Sequence, residues 1–246
     1  MLVFVHEFES KSLLMINRLY LSVMKKYILF ILLSVTVSTA VVAQNDTAFR
    51  KEISAFLRAD SAAMPHKNQI LFVGSSSFTF WKDIRDYFPG YPLINRGFGG
   101  SSLIHLIQYA DKIILPYSPR QIIIYCGEND IADAWDKVKI TPDTVLMRFK
   151  RLMTVIRKRL GKVPVVFVSV KPSPSRWKME TDFVKTNRLI KDFLRTDRHA
   201  VFLNVHDAML LPDGSVNPEL FGKDSLHMNA RGYAIWQKII RPVLKK

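Results

Sequence analysis

The chain has 246 residues, 48% of them hydrophobic and 23% charged, with a formal net charge of +15, a length that allows one sizeable core and is short for two full domains. Cys126 is the only cysteine, which excludes an internal disulfide. The positive charge would suit a polyanion, but the densest basic group, Lys150, Arg151, Arg157, Lys158 and Arg159, falls where apolar residues keep helical spacing, so it reads as a solvated helix face and no nucleic-acid partner is expected.

Taken in order, the chain opens on a leader. Lys25 and Lys26 precede the uncharged run YILFILLSVTVSTAVVA, whose small-residue end at Ala43 is the pattern of a secretory signal peptide. Residues 1–43 are therefore expected to be a signal peptide, with Met24 a possible true start. Residues 44–246 are expected to be a single exported domain, periplasmic or secreted. No cysteine near the cleavage point offers a lipid attachment site, so no membrane anchor is expected after cleavage.

Phe49, Ile53, Phe56 and Leu57 predict an N-terminal helix over 46–60. Ile70–Val73 predict a first strand that runs into Gly74 and then Ser75, Ser76 and Ser77. Serines just past such a turn can be a nucleophile at a sheet edge, but on this stretch alone they read as helix caps. A short helix is predicted over Phe78–Phe88. A second apolar run, Leu93-Ile94, leads into Asn95-Arg-Gly-Phe-Gly-Gly100-Ser-Ser, a turn able to aim backbone N–H groups at a ligand. A dinucleotide fingerprint is disfavoured there, because Ser102 stands in place of its third glycine.

Gln121–Tyr125 predict a central parallel strand buried on both faces, ending in Cys126-Gly-Glu-Asn-Asp130. Thr141-Pro142 predict a helix start, and Val163–Val170 a fourth strand followed by the loop Lys171–Trp177. After a helix bearing Phe183, Ile190 and Phe193, Ala200–Val205 predict a fifth strand, and Tyr233, Trp236 and Ile240 a final helix. Strands and helices alternating in this way predict an α/β fold, a three-layer sandwich with a five-stranded parallel sheet. The three glycine-bearing loops would then meet at the carboxyl edge of that sheet, where ligand sites form in open parallel sheets.

Asp224-Ser-Leu-His227 places a carboxylate three residues before a histidine. On a helical turn both would share a face, the aspartate holding one ring nitrogen and leaving the other to accept a proton. Taken alone, the pair reads as a helix cap beside an exposed histidine.

Four segments, in order, now resemble the SGNH or GDSL hydrolases, and more closely their members related to the platelet-activating-factor acetylhydrolase subunits. They are Gly74-Ser-Ser-Ser77, Asn95–Gly100, Gly127-Glu-Asn-Asp130 and Asp224–His227. The resemblance spans Gln69 to Leu244 and implies a flavodoxin-like fold. It also implies a serine esterase that removes a short acyl group, acetyl above all, through an acyl-enzyme. Carried over position by position, it makes Ser76 the nucleophile, His227 the base and Asp224 the residue that orients it. Gly100 and Ser76 through their N–H groups, and Asn129 through its amide, would bind the oxyanion. The aspartate usual before the nucleophile is Ser75 here. Counting back five residues from Trp81 selects Ser76, leaving Ser75 and Ser77 to turn and cap. The Gly-x-Ser-x-Gly elbow of α/β-hydrolases is absent, since Phe78 fills its last glycine position.

No metal or organic cofactor is implied. A small-molecule or glycan ester is the expected substrate. An acyltransferase with the same triad and a non-catalytic carbohydrate-binding protein are the alternatives. His66, His105, His199 and His206 lack metal-type spacing and Cys126 reads as a small apolar residue. Glu128 and Asp130 could bind substrate or cap turns, and Lys171 and Arg176 are candidate substrate contacts.

Overall fold

The computed structural model describes Met24, residues 48–132 and residues 138–246. Apart from Met24, the expected leader over 1–43 lies outside the described residues. Contacts divide the chain into Met1–Arg50 and Lys51–Lys246, and the sheet belongs to the second unit.

Five parallel strands form that sheet in the order β2-β1-β3-β4-β5: β1 (Ile70–Gly74), β2 (Leu93–Gly97), β3 (Gln121–Tyr125), β4 (Val165–Val168) and β5 (Ala200–Leu203). The aliphatic runs of β1, β3 and β4 are buried along their whole length, as strands covered on both faces must be. Edge strand β5 is only partly covered. Alternate residues serve opposite layers. Ile70, Phe72, Ile123, Tyr125, Val166 and Val168 pack with Phe78, Trp81, Trp236 and Ile240 in one core cluster. Phe167 of β4 instead meets Phe149 across the other face, ring centroids 4.8 Å apart.

The helices supply the outer layers: α1 (Arg50–Ala62), α2 (Ser76–Thr79), α3 (Ile84–Tyr87), α4 (Leu103–Gln108), α5 (Ala110–Ile113), α6 (Glu128–Ile131), α7 (Pro142–Leu160), α8 (Glu180–Leu194) and α9 (Ala230–Ile240). Thr141 caps α7 by accepting from the Thr144 N–H, with Pro142 in the first turn, and Val145, Phe149, Leu152 and Ile156 form its buried stripe. The expected helix over 78–88 is two short ones. The expected fourth and fifth strands are shorter than predicted, and β2 is longer because Asn95 and Arg96, though polar, pair in register with Phe72 and Val73. Arg96 also ties α1 down: with Tyr117 it binds Asp60, and the Phe56 ring lies 5.0 Å beneath its guanidinium.

Because β1 neighbours both β2 and β3, the chain reverses its winding direction there. The crevice outside the carboxyl ends of β1 and β3 is the topological switch point, where ligands bind in such sheets.

Candidate active site

Each block flagged in the sequence sits at that carboxyl edge. Gly74 ends β1 with φ 149°, and a Cβ there would lie 1.9 Å from the Tyr125 carbonyl oxygen. Only glycine lets the chain turn so tightly against β3. Ser75 and Ser77 are buried, whereas Ser76, the first residue of α2, stays partly accessible. The turn is clamped from three sides. Asn95 Nδ2 donates to the Phe78 carbonyl at 2.8 Å, Tyr233 donates its hydroxyl to the Ser77 carbonyl at 2.9 Å, and the Ser75 N–H bonds the Tyr125 carbonyl at 3.0 Å. Gly97 lets α2 sit directly on β2, for a Cβ there would meet the Thr79 nitrogen at 2.6 Å. The expectation that the flanking serines cap the helix is corrected in one detail. Ser75 occupies the N-cap position of α2 but makes no side-chain cap bond.

The glycine block turns at Gly100, φ 82°, and brings Ser101 against the third block. Asn129 donates through Nδ2 to the Ser101 carbonyl at 2.9 Å, and its Oδ1 accepts from Arg176 Nη2 at 3.0 Å. Asp130, wholly buried, has a packing role: it accepts from the Leu103 N–H at the start of α4 and from Arg148. His105 closes a capping box with Ser102. Cys126 is buried beside these groups, and desolvation first, then the Asp130 charge, pushes its thiol well above the ordinary value, so it is inert as a nucleophile at neutral pH.

Asp224 and His227 do meet, though not on a helix. Ser225 between them adopts φ 55°, and Asp224 Oδ1 accepts from the Leu226 and His227 N–H groups at 3.0 and 2.9 Å. This aspartate-nucleated turn replaces the expected helical turn, and Asn229 is the residue that caps α9. Asp224 Oδ2 lies 2.6 Å from His227 Nδ1. That hydrogen bond, followed by the two backbone N–H bonds, holds the Asp224 carboxyl well below the usual carboxylate range. An ionised carboxylate on Nδ1 fixes the proton there and leaves Nε2 as the acceptor. The Phe80 ring, carried just past α2, packs edge-on against the imidazole with centroids 4.5 Å apart, so the serine turn and the histidine turn share a contact. An open depression of about 400 Å³ lies beside them, lined by Phe80, Gly222, Lys223, Asp224, His227 and Met228.

Lys171 and Arg176, the candidate substrate contacts of the sequence, lie at the same edge and are engaged with protein partners. Lys171 is buried and reaches Glu128 at 3.4 Å and the Leu226 carbonyl at 2.9 Å. Arg176 Nη1 reaches Glu128 at 2.9 Å. Glu128 is buried too and also accepts from the Tyr125 hydroxyl. Burial alone would raise its pKa, but the Lys171 and Arg176 charges overcome this and the net direction is down. For Lys171 burial lowers the pKa and Glu128 opposes. These are partners in a buried ion network, and 43 positions separate Glu128 from Lys171, so no local motif could have disclosed it.

A family model for the GDSL-like lipase/acylhydrolase family matches residues 73–235. The chain belongs to that family. Its members are hydrolases acting on esters, as the four blocks imply. Among solved structures, a GDSL-like lipase of Bacteroides thetaiotaomicron is 19% identical with a TM-score of 0.65, covering 77% of this chain and 95% of that one. An acetylxylan esterase of Geobacillus stearothermophilus, 14% identical with a TM-score of 0.57, covers 71% and 93%. At those identities both show the shared fold. An N-acylneuraminate cytidylyltransferase of Escherichia coli is 25% identical over 186 residues, 72% of this chain, and the match spans 41% of that protein's length.

Proposed function

We propose that this GDSL-family chain is an exported serine esterase that removes acetyl groups from a hydroxylated carrier, an acetylated glycan first of all. The observation that carries the reading is the Asp224–His227 pair, 2.6 Å apart, on the same sheet edge as the one accessible serine of three.

In this mechanism His227 Nε2 takes the proton of Ser76 Oγ as that oxygen attacks the ester carbonyl. The tetrahedral oxyanion is met by the Asn129 amide and by the backbone N–H groups of Gly100 and Ser76. Fixed donors of this kind stabilise charge that develops only in the transition state. Nδ2 of Asn129 carries two hydrogens and spends one on Ser101, so one remains for the oxyanion. Collapse breaks the bond to the alcohol, which leaves with the proton from His227. Water, activated by the same imidazole, then releases acetate from Ser76. Asp224 stays ionised throughout and stabilises the imidazolium.

The glycan assignment draws on fold likeness to an acetylxylan esterase. The test is acetate release from a panel of acetylated glycans with lipid and aryl esters alongside, run with wild type and with Ser75→Ala, Ser76→Ala and Ser77→Ala. Ser76→Ala alone should abolish turnover, and wild-type rates in that variant would sink the assignment. Acetate from aryl esters but from no glycan would confine the chain to other carriers.

A further inference from the structure

Between the oxyanion block and the histidine turn runs a chain of charges that the triad does not use. Arg176 is its pivot. One end of its guanidinium holds Glu128 at 2.9 Å and the other holds Asn129 Oδ1 at 3.0 Å, on adjacent residues of α6. Lys171 continues the chain from Glu128 to the Leu226 carbonyl, the residue before His227. The Ser175 N–H bonds the Ser225 carbonyl at 3.0 Å, so the loop that carries Arg176 is also fastened to the histidine turn.

We propose that Arg176 is a positioning residue for the oxyanion amide: it fixes which way the Asn129 side chain faces, with Glu128 as its anchor. This rests on the esterase reading given above. An asparagine amide can flip, exchanging oxygen for nitrogen, and only one orientation offers N–H to a substrate oxyanion. A guanidinium carries donors alone, so it donates to Oδ1 and cannot bond a flipped NH₂. Oδ1 against Arg176 turns Nδ2 toward Ser101 and the crevice. The guanidinium charge beside Oδ1 also polarises the amide and strengthens its remaining N–H as a donor. Bridging two acceptors on neighbouring residues calls for a planar fork, which lysine lacks. The Arg176 side chain is 18% exposed, with Nη1 and Nη2 each committed to a protein acceptor, so it serves the substrate through Asn129.

A double-mutant cycle on an aryl acetate tests this, with kcat and KM measured separately for wild type, Arg176→Ala, Asn129→Ala and the pair. Arg176→Ala should lower kcat on the order of 10- to 100-fold with KM within about twofold, and Asn129→Ala by about 100- to 1,000-fold. In the Asn129→Ala background, Arg176→Ala should cost almost nothing further, because a residue acting through Asn129 has nothing left to orient. Multiplicative losses, or a raised KM with kcat intact, would make Arg176 a direct substrate contact and overturn the proposal. Arg176→Lys keeps a positive charge beside Glu128. It supplies the same cycle if the alanine variant melts early, and full wild-type kcat in it would show that charge without the fork suffices, which also overturns the proposal. Absence of Ser76-dependent turnover in wild type would instead overturn the esterase reading and this one with it. A non-coupled cycle in an active enzyme defeats the positioning role alone.

Discussion

Two histidines in this chain are each held by carboxylates, and they do opposite things with that hold. His227 takes one carboxylate, Asp224, on Nδ1. His206, just past β5, has both nitrogens engaged: Nδ1 lies 3.0 Å from Asp207 and Nε2 lies against Glu180 at the start of α8. Its side chain is 6% exposed against 25% for His227. A histidine bound on both sides has no nitrogen to lend a substrate, so it works as a staple between the strand end and the helix. One with a single partner is oriented and still able to accept a proton. The count of committed nitrogens, and not the presence of a carboxylate, separates a candidate base from a structural staple.

The sharpest way to break that contrast is to remove each imidazole. His227→Ala should cost on the order of 10⁶-fold in kcat, the scale seen when a triad base is deleted, while His206→Ala should leave kcat within about threefold. Equal losses would erase the distinction. Next in size is Asp224→Asn, which keeps the shape of the turn but offers an amide to Nδ1 and favours the wrong tautomer. It should lower kcat about 10⁴-fold with little change in melting temperature.

The staple predicts a different observable. Burial lowers the His206 pKa, but the hydrogen bonds to Glu180 and then Asp207 outweigh it, so the net direction is up. A group whose folded pKa lies above its unfolded value stabilises the fold fully below the unfolded value, about 6.5 for histidine, and loses that contribution as pH rises through the folded value. His206→Ala should therefore cost about 1–3 kcal/mol in urea unfolding at pH 5.5, and clearly less at pH 9. A cost that does not shrink with rising pH would show that His206 is bound as the neutral ring.

How far these differences can be read from the residues alone depends on their range. Gln121–Tyr125 is placed to the residue because an aliphatic run between polar ends has one reading, a strand buried on both faces. The four site blocks are legible because each lies within six positions of chain. Asp224–His227 is recognisable as a pair but reads as helical, since three-residue spacing fits a helical face as well as a turn. Only the two N–H groups drawn onto Asp224 Oδ1, and Ser225 at φ 55°, distinguish them. The pairing of Lys171 and Arg176 with Glu128 is hidden for a stronger reason: Glu128 belongs to a different strand end, and only the folded sheet brings it to them. His206 is legible only as not metal-like, because Glu180 is brought to it by packing of α8.

The smallest predicted effect concerns what holds each ring besides hydrogen bonds. His206 is fixed by its two carboxylates, whereas His227 has one and leans on Phe80, a ring 52% exposed with its centroid 4.5 Å from the imidazole. So large an exposed aromatic side chain gains little for the core, and its edge-on contact is worth about 0.5–1.5 kcal/mol, a sum that converts to roughly 2- to 10-fold in rate if it is spent on orientation. Phe80→Ala should lower kcat by that factor without moving the melting temperature by more than about a degree or two. Phe80→Leu, which keeps bulk without the ring edge, should recover part of the loss. If Phe80→Ala instead raised KM and left kcat alone, the ring would belong to the carrier's binding surface, and the second hold on His227 would have to be sought elsewhere in its turn.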